Sequence, residues 1–120
     1  EGLHVGLGSD VAGGTTENMF HAMAHAIQAS KLRWRLKDDT LEALTAEEAF
    51  YMATKGGGAF FGKVGSFEPG YEFDAVVLDD SSLPHPQSLD IRSRLERLIY
   101  LADQEEIRAK YVRGQEIDLS

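Results

Sequence analysis

The stretch at residues 3–14 constrains the fold of this chain more than any other. Leu3, Val5 and Leu7 alternate with small or polar residues, and this period of two is typical of a strand. Glycines mark the end of the apolar run, a single acidic residue, Asp10, follows, and a glycine-rich loop comes next. The order predicts a short buried strand, an abrupt turn and a helix, with Asp10 at the point where the strand ends.

Asp10 has two interpretations from the residues alone. An aspartate in a glycine-rich turn can cap the helix that follows. A carboxylate at the C-terminal end of a barrel strand is also a usual place for a metal ligand or a general base. A phosphate-binding loop is disfavoured, because Val11 stands where the G-x-G-x-x-G pattern needs its third glycine and no Walker lysine follows.

Composition excludes several classes of function. The chain has 120 residues, of which 42% are hydrophobic and 27% charged, as expected for one soluble globular domain. Its net charge of −8, without a basic run, argues against binding to nucleic acid or an anionic membrane. No segment approaches the ~18 apolar residues of a transmembrane helix. The absence of cysteine excludes disulfides and thiolate ligands, and we expect a cytoplasmic protein.

Helical and extended segments alternate downstream. Thr45 and Glu48 have the spacing of a capping box, which is a strong signal for the start of a helix. The predicted helical segments are residues 17–32 after a cap at Thr15 or Thr16, a helix after Thr45 that ends at the glycines 56–58, a helical turn at 59–62, and residues 89–104 after a cap at Ser88. The predicted strands are a buried one at 74–79 and two short ones at 107–112 and 116–119 about a glycine turn.

Two histidines on the first helix are candidate metal ligands. His21 and His25 stand four residues apart, so a helix places them on one face. The hydrolytic H-E-x-x-H pattern requires a glutamate where Ala22 stands, and a third ligand is not evident. We therefore favour packing or solvation for both. His85 lies between two prolines and joins no constellation, and no G-x-S-x-G nucleophile motif is present.

Residues 6–14 resemble the last barrel strand of guanine deaminases, a family of the metal-dependent amidohydrolase superfamily. The similarity continues through residues 44–57, which look like the family's final helix, and through 65–78, which resemble its return into a small β-sandwich. The latter stretch is shared by many amidohydrolases. Asp-Val-Ala-Gly-Gly at residues 10–14 is what points to guanine deaminases, and the resemblance covers essentially the whole chain in family order.

The resemblance implies an α/β fold class. Residues 1–62 would be the last strand and helices of a (β/α)₈ TIM-type barrel, and residues 63–120 part of the composite β-sandwich domain with an inserted or returning helix at about 89–104. A complete barrel needs about 250 residues, so we expect the C-terminal fragment of a longer protein. The opening, which lacks Met and begins two residues before an apolar run, agrees with that expectation.

The resemblance also implies a reaction, in which guanine and water give xanthine and ammonia through a metal-activated hydroxide. Asp10 would be both a ligand of Zn²⁺, or of another divalent ion such as Fe²⁺, and the proton shuttle. The family's other ligands precede this region, so we expect these 120 residues alone to be inactive and to bind no metal. A purine substrate and self-association are the expected partners, with no nucleic acid and no membrane. The alternatives are an amidohydrolase or chlorohydrolase acting on another purine, a pyrimidine or a triazine, and a non-catalytic scaffold or interaction module.

Overall fold

Helices and a small sheet make up the computed structural model, which describes residues 2–119. In chain order, the elements of the described residues are α1 (Met19–Leu36), α2 (Ala46–Ala53), α3 (Lys55–Gly58), β1 (Ala75–Leu78), α4 (Ile91–Leu101), a 3₁₀ turn (Gln104–Glu106), β2 (Ile107–Val112) and β3 (Gln115–Ile117).

The start of α1 is set by Asn18. Its Oδ1 accepts a hydrogen bond from the backbone N–H of Phe20 at 2.9 Å, as asparagine does when it caps a helix. The prediction of Thr15 or Thr16 as the cap is wrong, because Asn18 stands next to the first helical residue. Thr16 supports the cap instead, since its Oγ1 accepts from the backbone N–H of Asn18 at 3.0 Å.

The capping box of α2 is confirmed. Thr45 Oγ1 accepts from the backbone N–H of Glu48, and Glu48 Oε2 accepts from that of Thr45 at 2.8 Å. The helix ends earlier than predicted, because Thr54 (φ −121°, ψ −102°) leaves the helical conformation. The glycines 56–58 lie inside the short helix α3. The predicted helical turn at residues 59–62 is a hydrogen-bonded turn at 59–61 that continues α3 without forming a regular helix.

Helix α4 is shorter than the predicted 89–104, and its cap is Asp90 rather than Ser88. Asp90 Oδ1 accepts from the backbone N–H of Ser93 at 2.7 Å, three residues ahead, which is the geometry of an N-cap. Ala102 adopts an extended conformation and ends the helix.

Three of the helices share one apolar core. Its buried members come from α1 (Met23, Ala24, Ile27), α2 (Ala49) and α4 (Ile99). Ala49 and Ile99 are both 0% exposed. An ion pair between Glu47 and Arg92 joins α2 to α4 at the rim of this core.

The sheet is antiparallel in the order β1-β2-β3. Ala75 faces Tyr111 across β1 and β2, and Tyr111 faces Glu116 across β2 and β3. Arg113 and Gly114, with φ of 51° and 76°, make the tight turn of the hairpin formed by β2 and β3. The two C-terminal strands are thus close to their prediction. The predicted buried strand forms as β1, but Val76 is 51% exposed, so its prediction as buried is wrong.

The predicted strand at residues 3–8 pairs with no strand among the described residues. Leu3 and Val5 are 88% and 57% exposed, so the predicted burial is also absent. A strand needs a ladder partner. Within residues 2–119, this segment makes a single backbone hydrogen bond, from Leu7 N–H to the Met52 carbonyl at 2.9 Å.

The division of the chain at residues 62 and 63 stays a prediction, although α4 of the second part packs against α1 of the first. Among residues 2–119, none of the helices combines the length and apolar character that crossing a membrane requires.

Candidate active-site turn around Asp10

Asp10 lies at the start of a tight turn. Its φ is 49°, in the left-handed region that aspartate tolerates better than most residues. The Asp10 carbonyl accepts hydrogen bonds from the backbone N–H groups of Gly13, at 2.9 Å, and of Gly14. Hydrogen bonds to the backbone carbonyl of Asp10 therefore close the turn. The Asp10 side chain takes no part in them.

The two glycines make this turn possible. A Cβ on Gly13 would lie 2.7 Å from Asp10 Oδ2, and one on Gly14 would overlap the carbonyl oxygen of Ser9. Any larger residue at either position must therefore move the carboxylate or open the turn. The glycine pair fixes the conformation in which Asp10 is presented.

The Asp10 carboxylate is exposed and has no hydrogen-bond or ion-pair partner among residues 2–119. It does not cap α1, because Asn18 does so. The capping interpretation of Asp10 is therefore wrong. What remains is a hard oxygen donor, held on a defined turn and free to bind a cation or accept a proton.

Asn18 anchors the far end of this loop, and sequence reasoning missed it. Its Nδ2 donates to the carbonyl of Ala102 at 3.2 Å and to Asp103 Oδ1 at 3.1 Å. The start of α1 is thereby tied to the end of α4. An asparagine immediately before Met19, the first residue of the helical apolar pattern, was the available signal.

The histidines contribute no cluster. His21 is half-buried, with Nδ1 3.4 Å from Thr16 Oγ1, whereas His25 is exposed on the same helix. His85 Nδ1 accepts from the backbone N–H of Gln87 at 3.1 Å within its own loop. Within the described part of the chain, no three histidine, aspartate or glutamate side chains converge as metal ligands would.

The number of available ligands decides whether these residues could bind a metal ion by themselves. Zinc sites use three or four protein ligands, and Asp10 is one carboxylate. Residues 2–119 alone therefore do not fit a complete site, although the chemistry of Asp10 suits one ligand of a divalent ion.

Two other carboxylates, those of Glu68 and Asp80, form ion pairs at the surface. Lys55 Nζ lies 2.6 Å from Glu68 Oε1 and lowers the pKa of that carboxyl by a hydrogen bond and by its charge. The guanidinium of Arg94 does the same for the pKa of Asp80. A shallow depression lined by Lys31, Trp34, Arg35, Glu42 and Ala43 includes no predicted site residue.

Comparison with known proteins places this turn in a family. Residues 1–117 match the Amidohydrolase family. Human guanine deaminase is 33% identical over 96% of the chain, and guanine deaminase of Escherichia coli K12 is 34% identical over 94%. Among solved structures, guanine deaminase from C. acetobutylicum with bound guanine in the active site superposes with a TM-score of 0.91 at 52% identity over 98% of the chain.

The similarity concerns a limited part of these relatives. The chain spans 28% of the human protein, 26% of the E. coli protein and 28% of the C. acetobutylicum chain. It nevertheless runs along nearly all of the present sequence and includes the turn around Asp10. The chain belongs to the amidohydrolase family.

Proposed function

We propose that this chain is part of a guanine deaminase, an enzyme that hydrolyses guanine to xanthine and ammonia. The observation that carries the proposal is the 52% identity, with a TM-score of 0.91, to a guanine deaminase whose structure holds guanine in its active site. The match covers 98% of the chain, so it is not confined to a common structural motif.

We further propose that residues 1–62 are the last strand and helices of a (β/α)₈ barrel and that residues 63–120 belong to a β-sandwich. The extended segment with Leu3 and Val5 supports this, because it has the alternation of a strand and exposes side chains that a neighbouring strand or helix would cover. The chain's coverage of about 28% of its relatives agrees with neighbours supplied by the rest of a longer protein. A cytoplasmic location is proposed as well, since the chain has no cysteine.

Asp10 is proposed as the metal ligand and proton shuttle. Its carboxylate is exposed and unpaired among the described residues, and its backbone is held by a closed turn, which suits a reacting group. When bound, Zn²⁺ or another divalent ion such as Fe²⁺ would make water acidic enough to yield hydroxide near neutral pH. The part of Asp10 is to accept the proton of water and to deliver it toward the leaving amine, as general acid–base catalysis requires. The remaining ligands would come from outside these 120 residues.

The test is substrate turnover by the natural full-length protein that contains these residues. Guanine, adenine, cytosine and an aminotriazine are compared by ammonia release, with xanthine identified by its absorbance. We expect guanine to have the highest kcat/KM and chelation of the metal to abolish turnover. Faster turnover of another ring would identify an amidohydrolase of different specificity. No turnover of any of them would contradict the proposal and favour a scaffold.

A further inference from the structure

A close crossing of two backbones lies next to the Asp10 turn. Leu7 N–H donates to the Met52 carbonyl at 2.9 Å, and Gly6 lies directly against Gly57 of α3. We call this contact the Gly6–Gly57 crossing. We infer that the Gly6–Gly57 crossing positions Asp10 for the reaction. This inference rests on the proposed function.

The crossing depends on the break between α2 and α3. In a continuous helix the Met52 carbonyl would accept from the N–H four residues later, at Gly56. Because Thr54 leaves the helical conformation, the Met52 carbonyl accepts from Leu7 instead. The helix break therefore provides the acceptor that holds the N-terminal segment.

Glycine is required on both sides of the crossing. A Cβ on Gly6 would lie 2.8 Å from the Cα of Gly57, which is closer than real Cβ contacts come. A Cβ on Gly57 would lie 2.8 Å from the Met52 carbonyl oxygen and 3.9 Å from the backbone nitrogen of Leu7. The neighbours that would have to move are backbone atoms, so neither side can give way by a side-chain rotation.

The crossing is coupled to Asp10 through a short, anchored piece of chain. Leu7 also packs against the helical core, so its position is fixed by a side-chain contact and by a backbone bond. Gly8 and Ser9 alone separate it from Asp10, whose carbonyl closes the next turn. If Leu7 is displaced, the backbone at or near Asp10 must therefore move as well.

Gly57 makes the inference testable, because it is 47 positions away from Asp10 in sequence (57 − 10). It carries no side chain that could take part in the chemistry, and it would act as a positioning residue. Misplacing a reacting group by about 1 Å can cost on the order of 100-fold in rate.

The experiment uses the natural full-length protein with Gly6→Ala, Gly57→Ala and the control Gly8→Ala. Gly8 lies in the same segment, does not have a positive φ, and its Cβ would meet no atom of the described residues within 4 Å. Kinetic constants for guanine are normalised to folded, metal-loaded enzyme. Hydrogen exchange of the peptide covering residues 6–14 is measured in parallel.

For Gly6→Ala and Gly57→Ala we expect kcat to fall about 10- to 100-fold, with KM within about twofold, and exchange of that peptide to accelerate. Gly8→Ala should keep the wild-type values of both. A merely structural role would reduce the folded fraction and leave the normalised kcat unchanged, and that result would overturn the inference. Loss of kcat in Gly8→Ala equal to that in the other variants would overturn it too.

Different results would contradict the proposed function and the positioning role of the Gly6–Gly57 crossing. If the wild-type protein does not turn over guanine, the proposed function is wrong and the positioning role falls with it. If the wild-type protein turns over guanine and the variants at Gly6 and Gly57 match it, the positioning role alone is wrong.

Discussion

At the scale of single residues, the presentation of Asp10 depends on the two glycines that follow it closely. Gly13 leaves room for the carboxylate, and Gly14 leaves room for the carbonyl of Ser9. The two contacts differ in kind, because a carboxylate can rotate away from a new methyl group whereas a backbone carbonyl cannot. Substitutions at these neighbouring positions should therefore have different consequences.

Gly14→Ala is expected to destabilise the protein by about 1–3 kcal/mol, because its Cβ forces the turn open. Gly13→Ala should cost less stability but still lower kcat, because its Cβ displaces the carboxylate. Denaturant unfolding and guanine kinetics on the full-length protein measure the two effects, with Gly8→Ala as the control. Equal destabilisation by the two substitutions would contradict the described turn.

The sequence predicts the turn at Asp10 but not the residue that caps α1. The position of Asp10 after an apolar run and before glycines predicts a turn, and the turn is present. The cap of α1 was not predicted, because Thr15, Thr16 and Asn18 are all competent caps and the choice depends on contacts with Ala102 and Asp103 more than 80 positions away. Such distant contacts leave no local signal.

At the scale of the elements, the cap of α4 shows how closely local chemistry sets a helix boundary. Ser88 and Asp90 are both suitable caps, and the structure uses Asp90. The hydrogen bond from the Ser93 N–H lowers the pKa of the Asp90 carboxyl, as expected when a carboxylate accepts at a helix N-terminus. The helix therefore begins two residues later than the sequence predicts.

Asp90→Ala is expected to lower the Tm of the full-length protein, since it leaves the first turn of α4 without its acceptor. Ser88→Ala is the matched control and should change the Tm little, because in the described part of the chain its side chain makes no hydrogen bond to the helix. A larger loss of Tm in Ser88→Ala than in Asp90→Ala would contradict this assignment of the cap.

Glu106 connects the 3₁₀ turn to the loop at Ser82 and should make stability depend on pH. The residue is 4% exposed. Its carboxylate accepts from the Ser82 hydroxyl, and also from the Asp103 N–H at 2.8 Å. These two hydrogen bonds, that of Ser82 foremost, lower its pKa below the ordinary value of 4.5. A lowered pKa means that the ionised group stabilises the fold above the unfolded-state pKa, and that this contribution is lost as the pH falls through the folded-state pKa.

We accordingly expect Glu106→Gln to lower the Tm at neutral pH. The difference in Tm between wild type and variant should shrink as the pH falls below 4.5. Thermal unfolding from pH 7 to pH 3 tests this, with the exposed neighbour substitution Glu105→Gln as the control. A difference that stays constant over this range would contradict the role of the ionised carboxylate.

At the scale of the whole molecule, the described residues bury one helical core and leave several apolar surfaces open. Leu3, Phe60 and Phe61 are each at least 79% exposed, and β1 is an edge strand in the described sheet. The sequence alternation at residues 3–8 predicts a strand. The strand that would pair with it cannot be identified from a chain that spans about 28% of the length of human guanine deaminase. The described residues show no strand there, because a strand forms only against a ladder partner, and residues outside this segment would have to supply it.

The isolated 120-residue chain is expected to self-associate, since exposed apolar side chains and unpaired strand edges favour association. Light scattering over a concentration series measures this. The same sample should form no xanthine from guanine even with added Zn²⁺, because one carboxylate does not complete a metal site. A monomer at high concentration would contradict the first expectation, and measurable xanthine would contradict the second.

The most direct test of the central claim is guanine turnover by the full-length protein carrying Asp10→Asn, with the exposed Asp39→Asn as the control. The amide keeps the shape of the carboxylate but cannot accept the proton that catalysis requires. We expect wild type and Asp39→Asn to form xanthine at similar rates and Asp10→Asn to lose at least about 100-fold in kcat. Xanthine formation by Asp10→Asn at the wild-type rate would contradict the central claim.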